Sequence, residues 1–142
     1  MIARRYKDEP RALKKIHEIY DEADIICTWN GKRFDIPFIN ARLMIRRDET
    51  GVKPAILNPG MKHLDLMYMS AKLRTRGNRL DGAAKDLKAR AQKYHCTAEH
   101  WVKAADGDKK CFDDIVKHCE VDVQITEDMM HIFKPYIIRI TK

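Results

Sequence analysis

Three side chains carry most of the chemistry in this sequence: Asp35, His118 and Asp122. Asp35 lies in the run Trp29-Asn30-Gly31-Lys32-Arg33-Phe34-Asp35-Ile36-Pro37-Phe38, where a short apolar segment, a Gly-containing turn and the start of a helix follow one another. Its carboxylate is therefore expected at a strand end, where open α/β sheets place their sites. Helix capping also explains an Asp just before Ile36-Pro37. His118 and Asp122 stand four apart in Ile115-Val116-Lys117-His118-Cys119-Glu120-Val121-Asp122-Val123-Gln124-Ile125-Thr126, so on a helix they project from one face, flanking the apolar stripe. A His and an Asp so placed can serve as general base and metal ligand, the pair needed to deprotonate a water for attack on a phosphodiester. The same spacing also fits an ordinary surface pair worth about 0.3 kcal/mol.

The polypeptide that must position these groups has 142 residues, enough for one domain, 1–142, with its own core. With 44% hydrophobic and 35% charged residues it has a globular composition, which excludes disorder and collagen-like structure. Lys and Arg number 28 against 21 Asp and Glu, a net +7 that points to a polyanionic partner, nucleic acid first. That charge is concentrated over residues 72–93, where Lys72, Arg74, Arg76, Arg79, Lys85, Lys88, Arg90 and Lys93 face only Asp81 and Asp86. Phosphate contacts fit such a stripe better than a solvated face does. No apolar stretch approaches the roughly 20 residues of a membrane span, and the N-terminal basic residues precede no apolar signal core. A cytoplasmic location with no membrane partner is expected. Cys27, Cys96, Cys111 and Cys119 form no C-x-x-C pair and are expected to be reduced and mostly buried.

The elements follow from periodicity and breakers. Asp8 is expected to cap a helix with Glu9 and Pro10 in its first turn, an apolar stripe of Ala12, Ile16, Ile19, Tyr20 and Ala23, and an end near Ala23. Residues 25–29 are expected as a strand apolar on both faces, as in covered parallel sheets, ended by Asn30-Gly31. A second helix over 36–47 tolerates Pro37 in its first turn and stops at Thr50-Gly51 and Pro54. A second strand is expected over 63–67. Leu80, Ala83, Ala84, Leu87, Ala91 and Tyr94 mark an amphipathic helix with the basic stripe on its opposite face. A short helix over 97–105, an Asp106-Gly107-Asp108 turn and a last helix complete the chain. That last helix carries Phe112, Ile115, Val116, Cys119, Val123 and Met130 and runs up to Pro135. Strands alternating with helices indicate an α/β fold.

Together these segments resemble the DEDD superfamily of 3′-5′ exonucleases, which includes polymerase proofreading domains. Asn30, Phe34 and Asp35 are similar to its second motif, and His118 to Thr126 to its third. His63-Leu64-Asp65-Leu66-Met67 and Arg79-Leu80-Asp81-Gly82-Ala83-Ala84-Lys85 are similar to the strand and helix between them. The resemblance covers residues 9–133. It implies an RNase H-like α/β fold, a mixed sheet flanked by helices, with the N-terminal strands missing from this chain. It also implies two Mg²⁺ or Mn²⁺ ions acting on a terminal phosphodiester of DNA or RNA. Asp35 and Asp122 would bind metal within reach of one ion, with His118 as base. Asn30 and Phe34 would touch the terminal nucleotide at a single-stranded 3′ end, and Lys85 and Lys88 the phosphates. Asp65 would be a structural residue near the site.

Two departures shape the expectation. The family places His five residues and Tyr four residues before the final Asp, whereas His118 stands four before Asp122. The family's Asp-x-Glu first motif has no counterpart, because no Asp here is followed two places later by Glu. The chain alone is therefore expected to be inactive or nearly so. A preceding segment, a second polypeptide or self-association would complete the sheet beside residues 25–29. Two alternatives stand beside this one: a catalytically inactive nucleic-acid-binding domain of the same fold, and a zinc-binding module using His95, Cys96, His100, Cys111, His118 and Cys119.

Overall fold

The computed structural model describes residues 6–73 and 78–140. The chain divides into two compact units, Met1–Asp65 and Leu66–Lys142. Arg74 and Arg76 of the basic stripe lie outside the described residues.

In the first unit a 3-10 turn, Tyr6–Asp8, runs into helix α1, Glu9–Glu22. Asp8 holds the N-cap position, but its backbone is already helical and its side chain makes no cap hydrogen bond. A capping side chain reaches the first free N–H groups from an extended backbone, which the 3-10 turn denies it. Glu9 grips helix α2 (Asp35–Ile45) instead. Arg42 Nε and Nη2 donate to its two oxygens at 2.6 and 2.5 Å, and Arg46 Nε donates at 3.1 Å. The buried face of α1 is Leu13 and His17, with Ile16 and Tyr20 beside them, whereas Ile19 of the expected stripe is exposed. Leu13, Leu43 and Leu57 form the core here, with Ile36, Ile39 and Val52 packed against it.

Strand β1, Ile25–Thr28, pairs in parallel with β2, Lys62–Asp65, in the register Ile25↔Lys62 through Thr28↔Asp65. Among the described residues the sheet is this pair, so the expected mixed sheet is seen only as two parallel strands. The second strand ends two residues earlier than expected, because Leu66 and Met67 open a helix. A short apolar run suits a buried helix turn as well as a strand. The helix expected over 36–47 breaks at Arg46 and resumes as α3, Arg47–Thr50. Gly51, at φ +66°, closes it in the left-handed region that costs glycine least.

The second unit contains α4 (Leu66–Lys72), α5 (Leu80–Asp86), α6 (Ala98–Ala105) and α7 (Lys109–Ile140). The first three pack on α7, whose Ile125, Met129 and Phe133 are fully buried. The helix expected over 80–94 stops at Asp86. Ala89 N–H bonds the Ala84 carbonyl at 2.8 Å and Lys88 N–H bonds the Lys85 carbonyl at 3.2 Å, a Schellman closure with Lys88 at φ +55°. Residues 88–97 then run along α7 as a strap. Ala91 N–H donates to Asp128 Oδ2 at 2.8 Å, and Tyr94 Oη donates to Asp114 Oδ1 at 2.9 Å. The Asp106-Gly107-Asp108 turn forms as expected with Gly107 at φ +98°, and Asp108 Oδ1 accepts from Cys111 N–H at 2.8 Å at the start of α7. Pro135 removes one N–H from α7 without ending it.

Candidate functional site

In the first unit the site residues cluster where the two parallel strands end. Asn30 turns the chain sharply at φ +63°, a region that Asn tolerates better than most residues. The turn is held from β2: Asp65, 4% exposed, accepts from Asn30 N–H on Oδ1 at 2.8 Å and from Lys32 N–H on Oδ2 at 3.0 Å. Thr28 Oγ1 accepts from Gly31 N–H at 3.2 Å and lies 2.7 Å from His63 Nε2, which binds the turn to both strands. Gly31 is required by space, since a Cβ there would stand 2.4 Å from Thr28 Oγ1.

Asp35 leaves this turn as the first residue of α2, with Phe34 rather than Asp35 at the N-cap. Partial burial pushes its carboxyl above the usual range and the neighbouring Asp65 charge adds to this, while its own backbone N–H and His63 act the other way. Burial and then the Lys32 ammonium push His63 down, against the pull of Asp65 and Asp35. Asp35 is thus a carboxylate whose surroundings favour the gain of a cation or a proton. Phe34 is 69% exposed, so the core-packing explanation for it fails, and Phe38 one turn later is 62% exposed. Two open aromatic faces at a strand end can stack on bases or sugars.

In the second unit, His118 and Asp122 are half-buried and stand at helical spacing from the buried Ile125, Met129 and Phe133 of α7. Cys119 and Val123, expected on the apolar stripe, are exposed, Val123 at 68%. Of the other thiols, Cys27, Cys96 and Cys111 are half-buried. The His118 ring is held edge-on to Trp101 with centroids 6.3 Å apart. Its Nδ1 donates to the carbonyl of Tyr94 on the strap. A carbonyl can only accept, so Nδ1 carries a proton. Nε2 stands 3.5 Å from Asp122 Oδ2, which is also 3.7 Å from Lys93 Nζ. Asp122 Oδ1 is buried without a hydrogen-bond partner. A buried carboxylate oxygen with no donor is costly, and a hard divalent cation is the ligand that such an oxygen suits.

The basic stripe is not a helix face. Lys85 sits on α5, 66% exposed and 3.9 Å from Asp81, whereas Lys88, Arg90 and Lys93 follow on the strap. Among the described residues no cluster of three or more His, Cys, Asp or Glu stands close enough to hold a metal ion. The zinc alternative is not assembled: His100 Nδ1 is taken up by Thr97 at 2.8 Å and His118 by Tyr94. Each unit holds one carboxylate of note: Asp35, pushed up mainly by burial, and Asp122, whose Oδ1 lacks a hydrogen-bond partner. Sequence reasoning did not single out Lys93 or the Tyr94 carbonyl. A backbone acceptor carries no residue signature, and Lys93 was one of eight similar charges.

The chain belongs to the RNase_H superfamily, whose family model matches residues 1–133. It is also similar to a DNA polymerase of Methanocaldococcus jannaschii, 34% identical over 83 residues, a match covering 47% of this chain and 5% of that protein. The chain therefore corresponds to a small part of that relative's length. No solved structure matches it. Among the described residues no helix is long and apolar enough to cross a membrane.

Proposed function

We propose that the chain is the nuclease part of a metal-dependent 3′-5′ exonuclease that removes terminal nucleotides from single-stranded DNA or RNA ends. The observation that carries this reading is the arrangement at Asp122: a half-buried carboxylate with one buried oxygen lacking a hydrogen-bond partner, beside a histidine whose Nε2 lies 3.5 Å from its other oxygen. Membership of the RNase_H superfamily, whose members generally use divalent metals, supports it, as does the similarity to a DNA polymerase.

Asp35 and Asp122 would supply carboxylates to Mg²⁺ or Mn²⁺. Bound divalent ions stabilise charge on the attacking and leaving oxygens of an in-line phosphoryl displacement. The protein's own part is then proton transfer and placement. His118 Nε2 takes the proton of the attacking water, and the resulting imidazolium is held between the Tyr94 carbonyl and the Asp122 carboxylate. Phe34 offers an exposed ring to the terminal nucleotide and Asn30 lies at the turn beside it. Lys85 and Lys88 offer charge to the phosphates. Without an Asp-x-Glu in this sequence, two further carboxylates would come from a preceding segment or a partner polypeptide for full activity.

The test is a 5′-labelled single strand incubated with the purified chain, at stoichiometric concentration, and Mn²⁺. Slow shortening from the 3′ end, lost in Asp122→Asn and reduced at least tenfold in His118→Ala, is expected. Internal cleavage, or shortening that survives Asp122→Asn, contradicts the reading. Tight strand binding that ignores Mn²⁺, with no shortening, makes it a binding domain instead.

A further inference from the structure

Among the described residues Lys93 is the lysine paired with the Asp122 carboxylate, and the pairing is loose. Its ammonium lies 3.7 Å from Asp122 Oδ2, beyond the range of about 2.7–2.9 Å for a charge-assisted hydrogen bond. The contact is one of charge alone. Both side chains are largely covered, at 24% and 29% exposure, so the charge is screened less than at an open surface. His118 Nε2 faces the same oxygen at 3.5 Å, and Oδ1 has no donor. The carboxylate therefore has more acceptor capacity than Lys93 satisfies. The backbone that carries Lys93 is pinned on both sides, by Ala91 N–H on Asp128 and by Tyr94 on Asp114 and His118. Only its four-carbon stem is left to move, and the ammonium is a compact charge on a flexible arm.

We infer that Lys93 is a resident stand-in for a divalent cation at Asp122, holding the carboxylate in the metal-free protein and swinging away when metal binds. This rests on the reading of Asp122 as a metal ligand. Lys93 then has two effects: it stabilises the metal-free fold and weakens apparent metal affinity by competing for the same oxygen.

The experiment is a Mn²⁺ titration of the purified chain followed by water-proton relaxation, with thermal melts by circular dichroism in the presence and absence of Mn²⁺. Lys93→Met is expected to bind Mn²⁺ about twofold to tenfold more tightly than wild type, and to melt earlier without Mn²⁺ but recover with it. Lys93→Arg, which restores the charge, is expected to stay within about twofold of wild type on the same reasoning. If Lys93→Met does not fold, Lys93→Gln carries the same expectation. Wild-type or weaker Mn²⁺ affinity in the neutral variant, with binding still lost in Asp122→Asn, overturns the stand-in role alone. Unchanged Mn²⁺ binding in Asp122→Asn overturns the ligand reading on which it rests.

Discussion

Asp65, the last residue of β2, clasps Asn30, the residue that turns the chain after β1: its Oδ1 accepts the Asn30 backbone N–H at 2.8 Å while Oδ2 takes Lys32 N–H at 3.0 Å. The carboxylate is buried and both oxygens are engaged, so it positions the turn that delivers Asp35. Asp65→Asn keeps the shape but has only one acceptor oxygen, so one amide loses its partner. A loss of about 1–3 kcal/mol in stability is expected, with faster hydrogen exchange at Asn30 or Lys32. Unchanged exchange at both amides would show that the turn does not depend on the clasp.

Gly31 sits where a side chain has no room. Its added Cβ would meet Thr28 Oγ1 at 2.4 Å and Thr28 Cγ2 at 2.8 Å. Gly31→Ala should cost about 1–3 kcal/mol in a urea melt, and Thr28→Ala should recover part of it in the double variant. A Gly31→Ala protein as stable as wild type would mean that the turn shifts freely.

The Glu9 ion pairs set an acid limit on stability. The Arg42 hydrogen bonds hold Glu9 below the usual Glu range, against burial, with Arg46 adding to the effect. A group depressed in the folded state stabilises above its unfolded pKa and loses that contribution as pH falls through the folded one. Unfolding free energy should therefore drop on acidification below the ordinary Glu range. Glu9→Gln should lower stability at pH 7 by about 1–3 kcal/mol and flatten that part of the pH profile. An identical acid limb in wild type and variant would remove Glu9 from the account.

Lys85 and Lys88 are expected to contribute through phosphate charge alone. Log affinity for an oligothymidylate should fall linearly with log salt, at about 0.7 per phosphate contact for single strands. Charge reversal at both positions should reduce the slope by about 1.4 on the same rule. A slope that does not change would assign these lysines to solvation.

The turn from Asn30 to Asp35 was legible because its signals are local: an apolar run, Asn-Gly, then Pro two residues into a helix. The phase of α7 was not. Hydrophobic periodicity selected Cys119 and Val123, which are exposed, whereas His118 and Asp122 are half-buried, with a backbone carbonyl and a lysine 24 or more residues away in sequence as partners. Polar groups satisfied by distant partners leave no apolar period to read. The helix over 80–94 misled for a related reason: the spacing of Ala91 and Tyr94 stays helical, but a lysine rather than a glycine takes the left-handed position that ends α5.

The proposed function has Asp35 and Asp122 each hold divalent metal for phosphodiester hydrolysis. A double-mutant cycle in Mn²⁺ affinity tests it most directly, using wild type, Asp35→Asn, Asp122→Asn and the double variant, each checked for folding by circular dichroism. Either single substitution should weaken binding by about tenfold or more, and the double variant should bind no better than the worse single one. An affinity that ignores Asp35 or Asp122 would contradict the account.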